Sequence, residues 1–482
     1  MIRTKEAISS QKMGLKERAL RAVLVKHKIL LENIEQGTGT SQDKTTEASQ
    51  DKGNWLKSTN CKFGHGYKLM TPHMKRITSE LFNFLTKGEH LYKRGKKLRD
   101  LEILVANLLA RGSLRTFQGK VYRTCEPVRI SRSRKSYTKS RYTRASSYII
   151  DLLDMLKGAS LLKQAKGYRT KEESMLTRIW PTEKLLTMYQ PIDLTIDLDF
   201  EHVELVILRD KDKKEMKYND TAKTNRIRRI LRNANILNRQ AVIQVKTPNG
   251  YQRINTDLHA IFNNGSFNQG GRLYTGFNGY QSLSEDERAN IHINNEPTVE
   301  LDFSGLHPRL LYAIEGLQYD CDRDPYKEVS DDEALRPLLK ELLFMLLYSK
   351  NETKAVAAGN YEFCFISYRE YFKRLKTAGL KVKDLIQMCK VAHSPIARHF
   401  SAQACFKLMN IDSKIALDVI EHFTVKDIPV LAIHDSFIVS AQYENELNEV
   451  MKNAYRKHSK GFECPVARKQ SANIILKYAN SY

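Results

Sequence analysis

Two hydrophobic periods follow one another in the second half of the chain. From 298 to 303, apolar Val299, Leu301 and Phe303 alternate with polar Thr298, Glu300 and Asp302. A period of two predicts a strand with one buried face and with Asp302 near its end. Leu306, Leu310 and Ile314 then repeat every four residues, the spacing of a helix. Further on, apolar runs at 430–433 and 437–439 flank His434, Asp435 and Ser436, which predicts a hairpin of buried strands with the Asp at its tip. Between these stretches, 334–348 reads as a helix. Pro337 fits only a first turn, so the helix begins near Arg336. Leu335, Leu338, Leu339, Leu342 and Leu346 pack one side of it, while Arg336, Lys340, Phe344 and Tyr348 recur every fourth residue as a ridge on the other.

The first half is patterned differently. Residues 1–35 predict a basic amphipathic helix, and 36–54 are polar and low in complexity, as in a flexible linker. Residues 76–109 read mostly as helices. A basic stretch with interleaved tyrosines follows at 129–144 and carries Arg132, Arg134, Lys135 and Arg141. An apolar helix at 147–157 and a hairpin from 161–169 and 176–180 complete the order of a winged helix-turn-helix. A charged helical domain facing solvent is the alternative. Strands are expected over 190–220, an amphipathic basic helix over 224–237, a basic helical stretch over 368–388, and a long buried helix over 400–423.

Charge narrows the partners. The 482 residues carry 79 Lys and Arg against 55 Asp and Glu, a net +24, which calls for a polyanion: nucleic acid or an anionic membrane. No apolar run is long enough to span a bilayer and no signal-peptide core opens the chain, so a membrane is excluded and a cytoplasmic protein expected. Cys61, Cys125, Cys321, Cys364, Cys389, Cys405 and Cys464 form no C-x2-C pair, which points to reduced thiols without a zinc site or disulfide frame.

The candidate chemistry lies in two carboxylates. An ionised Asp at the end of an apolar strand is costly unless paired or metal-bound. Asp302 and Asp435, if they converge, make a hard-cation site of oxygen ligands suited to Mg²⁺ and to phosphate chemistry. Arg336 and Lys340 stand at a helix start, where cations oppose the helix dipole, so an anion such as a triphosphate is expected beside them. Phe344 and Tyr348 lie one and two turns on, where a sugar and base would stack.

These residues carry a family resemblance. The run DFSGLHPR at 302–309 resembles motif A of the DNA polymerase I family (family A). The HDSF run at 434–437 resembles motif C as found in single-subunit phage and mitochondrial RNA polymerases. Arg336, Lys340, Phe344 and Tyr348 match the spacing of the family's fingers helix, and Gly271, Arg272 and Leu273 resemble its primer–template element. Four elements in the family's order cover about 261–445. The resemblance implies an α+β fold: a right-hand polymerase core with an antiparallel palm sheet, small helical fingers and a short thumb, preceded by the helical domain. The expected divisions are 1–60 (helix and linker), 61–185 (nucleic-acid binding), 186–260 (palm strands and thumb-like helix) and 261–482 (palm and fingers).

It also implies roles. Asp302 and Asp435, with the Phe303 carbonyl, would hold two Mg²⁺ ions, with Mn²⁺ as a substitute. Arg336 and Lys340 would bind the triphosphate, with Lys340 also an acid for the leaving pyrophosphate. Phe344, Tyr348 and His307 would shape the nucleotide pocket, and Arg272 and His434 would contact primer or template. The chain departs from the family's DNA polymerases in having His307 and Ser436 where Glu is usual, and Ser349 in place of Gly after the fingers helix. Lys340 and Asp435 are 95 residues apart, so the fingers are small. Asp197, Asp199 and Glu201 lie in a segment too short for a proofreading nuclease. The expectation is a small, monomeric DNA polymerase of a phage, plasmid or mobile element, acting on nucleoside triphosphates and a DNA primer-template or an RNA/DNA hybrid. An RNA polymerase or primase is the alternative enzyme. A DNA-binding replication initiator or regulator with an inactive palm is the alternative outside enzymes.

Overall fold

Helix α1 (Pro72–Leu85) begins as its sequence dictates, with Pro at its first turn and the Thr71 hydroxyl accepting from the Met74 N–H at 3.5 Å. The computed structural model describes residues 63–469, apart from 113, 118–119, 124–126, 138–140, 170–173, 193–197, 201, 248–249, 277–278, 331–334 and 364–378. The expected N-terminal helix and linker, and Asp197 and Glu201, lie outside the described residues. The chain forms two compact units, which part at Asp199. No helix among the described residues is long and apolar enough to cross a membrane.

In the first unit, β1 (Tyr67–Leu69) and α1 precede α2 (Arg94–Gly112), which buries Leu101, Leu104, Val105 and Leu108. A hairpin of β2 (Leu114–Phe117) and β3 (Lys120–Arg123) follows. Then come β4 (Val128–Ile130), α3 (Ile149–Gly158), β5 (Leu162–Ala165), β6 (Tyr168–Arg169), β7 (Ser174–Met175), β8 (Thr177–Pro181) and α4 (Glu183–Met188). The expected two-stranded hairpin is present: β5 pairs with β8, and β6 with β7 beyond it. The structure adds β4 on the other edge of β8, a strand that overlaps the start of the stretch read as a basic run. Its cause is local, because Val128 and Ile130 are two residues apart and both buried.

A short strand, β9 (Leu198–Phe200), spans the boundary. The second unit then runs β10 (Val206–Leu208), α5 (Ala222–Gln240), β11 (Ile243–Thr247), β12 (Gly250–Arg253), β13 (Leu258–Asn263), β14 (Ser266–Thr275), α6 (Glu285–Arg288), β15 (Ile291–Ile293) and β16 (Glu296–Phe303). It continues with α7 (Leu306–Ile314), α8 (Arg336–Tyr348), α9 (Glu352–Glu362), α10 (Val382–Ala392), α11 (Cys405–Val425), β17 (Leu431–Ile433), β18 (Ser436–Ser440), α12 (Glu444–His458) and β19 (Val466–Arg468). The main sheet has the order β12-β11-β15-β16-β18-β17, with β19 also on β16, and every pairing in it is antiparallel. A smaller sheet, β10-β13-β14, lies against α11 and α5. The architecture is mixed α and β with antiparallel sheets, and the strand expected at 298–303, the helix expected from Arg336 and the hairpin expected around Asp435 are elements β16, α8 and β17–β18.

The helix read as a thumb is sunk into this unit. α5 buries Ile227, Ile230, Leu231 and Ala234. On its outer side Arg226 pairs with Asp418 (3.1 Å) and with Glu421, and Arg229 pairs with Glu421 at 3.0 Å. Asp418 on α11 also takes Lys457 at 2.7 Å and His458 at 2.8 Å from α12. One carboxylate thereby ties three helices. Burial alone would raise its pKa, but His458, Lys457 and Arg226 outweigh that and hold it below the ordinary value. A depressed folded pKa contributes stability above the unfolded value, near 4, and loses it as pH falls below that. Asp418→Asn is therefore expected to cost about 2 kcal/mol at pH 7, read by urea denaturation, with the deficit shrinking below about pH 4.

Candidate active site

The site begins with a register. β16 and β18 pair antiparallel with Leu301 opposite Phe437 and Asp302 opposite Ser436. Val299, Leu301 and Phe303 are buried, which leaves Glu300 and Asp302 together on the other face of the strand. β17 and β18 are joined by His434 and Asp435 alone, with Ile433 opposite Ser436. His434 takes a left-handed φ of 56°, which residues other than glycine adopt uncommonly, histidine more readily than most. The Phe303 N–H reaches the Asp435 carbonyl at 3.4 Å. Asp302 and Asp435 are therefore diagonal neighbours at the end of one ladder. In an antiparallel strand the N–H and C=O of a residue point to the same side, so the Phe303 carbonyl also faces the Asp435 turn.

Gly305 sets the next element. Its φ is 69°, and a Cβ there would lie 2.6 Å from Pro325 Cγ, so only glycine fits before α7. Buried Arg309 on α7 donates to the carbonyls of Ser304 (2.8 Å), Asp320 (2.8 Å) and Arg323 (2.7 Å), which fixes the segment leading to Asp324 and Tyr326. Across the cleft, α8 presents Arg336, ion-paired to Asp324 and 5.5 Å from the Tyr326 ring centre, and Lys340, 5.9 Å from that centre. The Phe344 and Tyr348 rings are 4.1 Å apart and tilted by 33°.

A third wall comes from β14. Gly271 has a φ of 97°, and a Cβ there would meet Phe262 and the Ser413 hydroxyl at 2.7 Å, so glycine lets α11 approach the strand. Arg272 then donates to Asp412 on α11 at 2.8 Å and to His307 Nε2 at 3.2 Å. A guanidinium can only donate, so His307 Nε2 is an acceptor and the ring is the neutral Nδ1–H tautomer. Burial first, then Arg272, lowers the His307 pKa, and His434 falls to about 4 for the same two reasons. Burial raises Asp412 despite Arg272.

Asp302, Phe303, His307, Arg272, Arg336, Lys340, Phe344 and Asp435 all line one cleft of about 620 Å³. Tyr348 and His434 do not line it: Tyr348 backs Phe344, and His434 packs on Tyr274 at 5.6 Å between ring centres. Arg132 and Arg134 belong to the first unit and pair there with Asp154 (2.6 Å) and Asp151 (3.0 Å) of α3. Lys135 and Arg141 lie in the same stretch.

Among the described residues no group of three His, Cys, Asp or Glu gathers around one point. Asp302 is nevertheless an incompletely partnered carboxylate. Its Oδ1 is buried without a hydrogen-bond partner, and burial, then the charge of Asp435, raises its pKa against the pull of Lys469 and Lys340. Two carboxylates and a carbonyl are hard oxygen donors, and Mg²⁺ is commonly held by one or two carboxylates with substrate phosphates completing its shell. The residues fit that ion.

Sequence reasoning missed Glu300, Asp324 and Lys469, and did not foresee that Asp412 anchors Arg272. Glu300 accepts from Arg288 at 2.9 and 3.2 Å, from Ser436 Oγ at 2.8 Å and from Lys469 at 3.0 Å. Asp412 anchors Arg272. Asp324 occupies Arg336. Glu300 was readable as the other polar residue of the Asp302 face. Asp412 was readable as an acid in line with apolar Leu408 and Ala416. Nothing local marks Lys469.

No protein-family model matches the chain, and no curated protein does. Among solved structures, the POL domain of Pol1 from M. smegmatis, in complex with a DNA primer-template and dNTP, is similar at 16% identity and a TM-score of 0.26, over 47% of this chain and 49% of that one. The chain thus spans about half of that structure. A likeness this slight leaves the chemistry to be read from the residues.

Proposed function

We propose that the chain is a template-directed nucleotidyltransferase, a small DNA polymerase of family A type without proofreading, of a phage, plasmid or mobile element. The observation that carries this is the meeting of Asp302 and Asp435 at one end of a cleft whose opposite wall presents Arg336 and Lys340. Asp302, Asp435 and the Phe303 carbonyl would hold two Mg²⁺ ions, which when bound activate a primer 3′-hydroxyl and neutralise the phosphates. Lys340 and Arg336 bind the triphosphate of the incoming nucleotide, Arg336 exchanging Asp324 for phosphate, and Lys340 donates a proton to the departing pyrophosphate. Phe344, backed by Tyr348, gives the sugar and base an aromatic wall. Arg272 and His434 lie toward primer or template. In the first unit, α2, β4, α3 and the β5–β8 hairpin follow winged-helix order, and Arg132, Arg134, Lys135 and Arg141 serve phosphate contacts there.

Asp302→Asn and Asp435→Asn should each abolish primer extension with Mg²⁺ while leaving DNA affinity intact, because the lost group acts on the transition state. Near-normal extension by either variant rejects the assignment.

For the first unit, log K for duplex DNA should fall steeply with log salt, by about 0.9 for each phosphate contact. Replacing Arg132, Arg134, Lys135 and Arg141 together with Ala should flatten that slope. An unchanged slope makes the run a solvated face, its arginines occupied by Asp151 and Asp154.

Sugar choice separates this reading from an RNA polymerase or primase, which the HDSF turn favours. His307 and Phe344 are both rings on the cleft wall. His307 Nε2 is committed to Arg272, so the ring offers a 2′-hydroxyl no acceptor. Crowding and an unpaired hydroxyl predict preference for deoxynucleotides, with each tenfold worth about 1.4 kcal/mol. His307→Gly should raise ribonucleotide incorporation in single-turnover extension. Equal rates with both sugars in the wild type favour the RNA polymerase or primase.

A further inference from the structure

Lys469 follows β19 and has no part in the mechanism above. Its backbone N–H donates to the Glu300 carbonyl at 2.9 Å, which sets it directly across β16 from Glu300. Its ammonium lies 3.0 Å from Glu300 Oε1 and 3.5 Å from Asp302 Oδ2, with the side chain 26% exposed. Glu300 has other partners besides, since Arg288 donates twice and Ser436 once to the same carboxylate. The partner with few alternatives is Asp302, whose Oδ1 is buried and unbonded. Glu300 and Asp302 thus share Arg288 and Lys469, which reduces the negative charge open to a divalent cation beside Asp435.

We propose that Lys469 is a resident cation of the Glu300–Asp302 face, which steadies Asp302 in the metal-free protein and weakens divalent-metal binding until a nucleotide's phosphates supply further negative charge. The inference rests on the reading of Asp302 and Asp435 as metal ligands. The physics is direct. A metal on Asp302 would stand within a few ångströms of the ammonium, and two like charges at that range repel measurably even with the screening of water. A triphosphate beside Arg336 and Lys340 reverses the balance. Metal and nucleotide then load together, and the free protein does not sequester the ion.

The test is Mn²⁺ binding to the full-length protein at low ionic strength, read from the electron paramagnetic resonance signal of free Mn²⁺, with no nucleotide present. Lys469→Met should bind Mn²⁺ on the order of tenfold more tightly than wild type. Lys469→Arg, which keeps the charge, should bind as weakly as wild type. A non-hydrolysable deoxynucleoside triphosphate should narrow the gap between wild type and Lys469→Met. Lys469→Gln answers the same question if the Met variant does not fold, and unchanged or weaker binding in a folded neutral variant overturns the proposal. Asp302→Asn separates the two readings. If it binds Mn²⁺ as wild type does, the metal assignment falls and this inference with it. If it loses binding while Lys469→Met is unchanged, the inference alone falls.

Discussion

The second unit depends on the register between β16 and β18. Side chains alternate faces along a strand, so a slip of one residue would carry Asp302 and Glu300 into the core and bring Leu301 and Phe303 out to the cleft. The burial of Val299, Leu301, Phe303, Phe437 and Val439 makes such a slip costly. The same burial therefore decides that Asp302 faces the cleft and that the two-residue turn at His434 and Asp435 delivers a second carboxylate beside it. Core packing and site chemistry are two faces of one ladder.

That ladder creates an electrostatic problem, and the surrounding structure answers it in part. Glu300 is fully engaged by Arg288, Ser436 and Lys469, and its pKa is held below the ordinary value although burial alone would raise it. Arg272 is balanced by Asp412 on α11, the two side chains 12% and 2% exposed. A buried pair of this kind adds little net stability but is costly to break. Its effect is geometric: Arg272 cannot move without stranding Asp412, so His307 keeps one ring orientation and one tautomer. Asp302 is the carboxylate the fold leaves incompletely answered, with one oxygen buried and unbonded.

The glycines explain how distant segments converge. Gly271 admits α11 against β14, and Gly305 admits Pro325 against the start of α7. Each stands where a Cβ would collide. Arg309 then holds the 319–323 backbone against α7 through its carbonyls, so that Asp324 and Tyr326 face Arg336 and Lys340 on α8.

By itself the sequence determined what is local. The alternation at 298–303 specified a strand with Asp302 on its polar face, and the two apolar runs around Asp435 specified a hairpin. Pro337 marked the start of α8, and the four-residue spacing placed Arg336, Lys340 and Phe344 on one ridge. Each rests on interactions within a few residues, which the order of side chains encodes directly. The tertiary structure alone decided the partners. Arg272 meets Asp412 across 140 positions, Lys469 reaches Asp302 from just past β19, and β4 joins a hairpin that the pattern gave only two strands. Periodicity states which face of an element is buried but not which element covers it, because that choice is made by packing, by close approach at glycine and by charge balance between segments far apart in the chain.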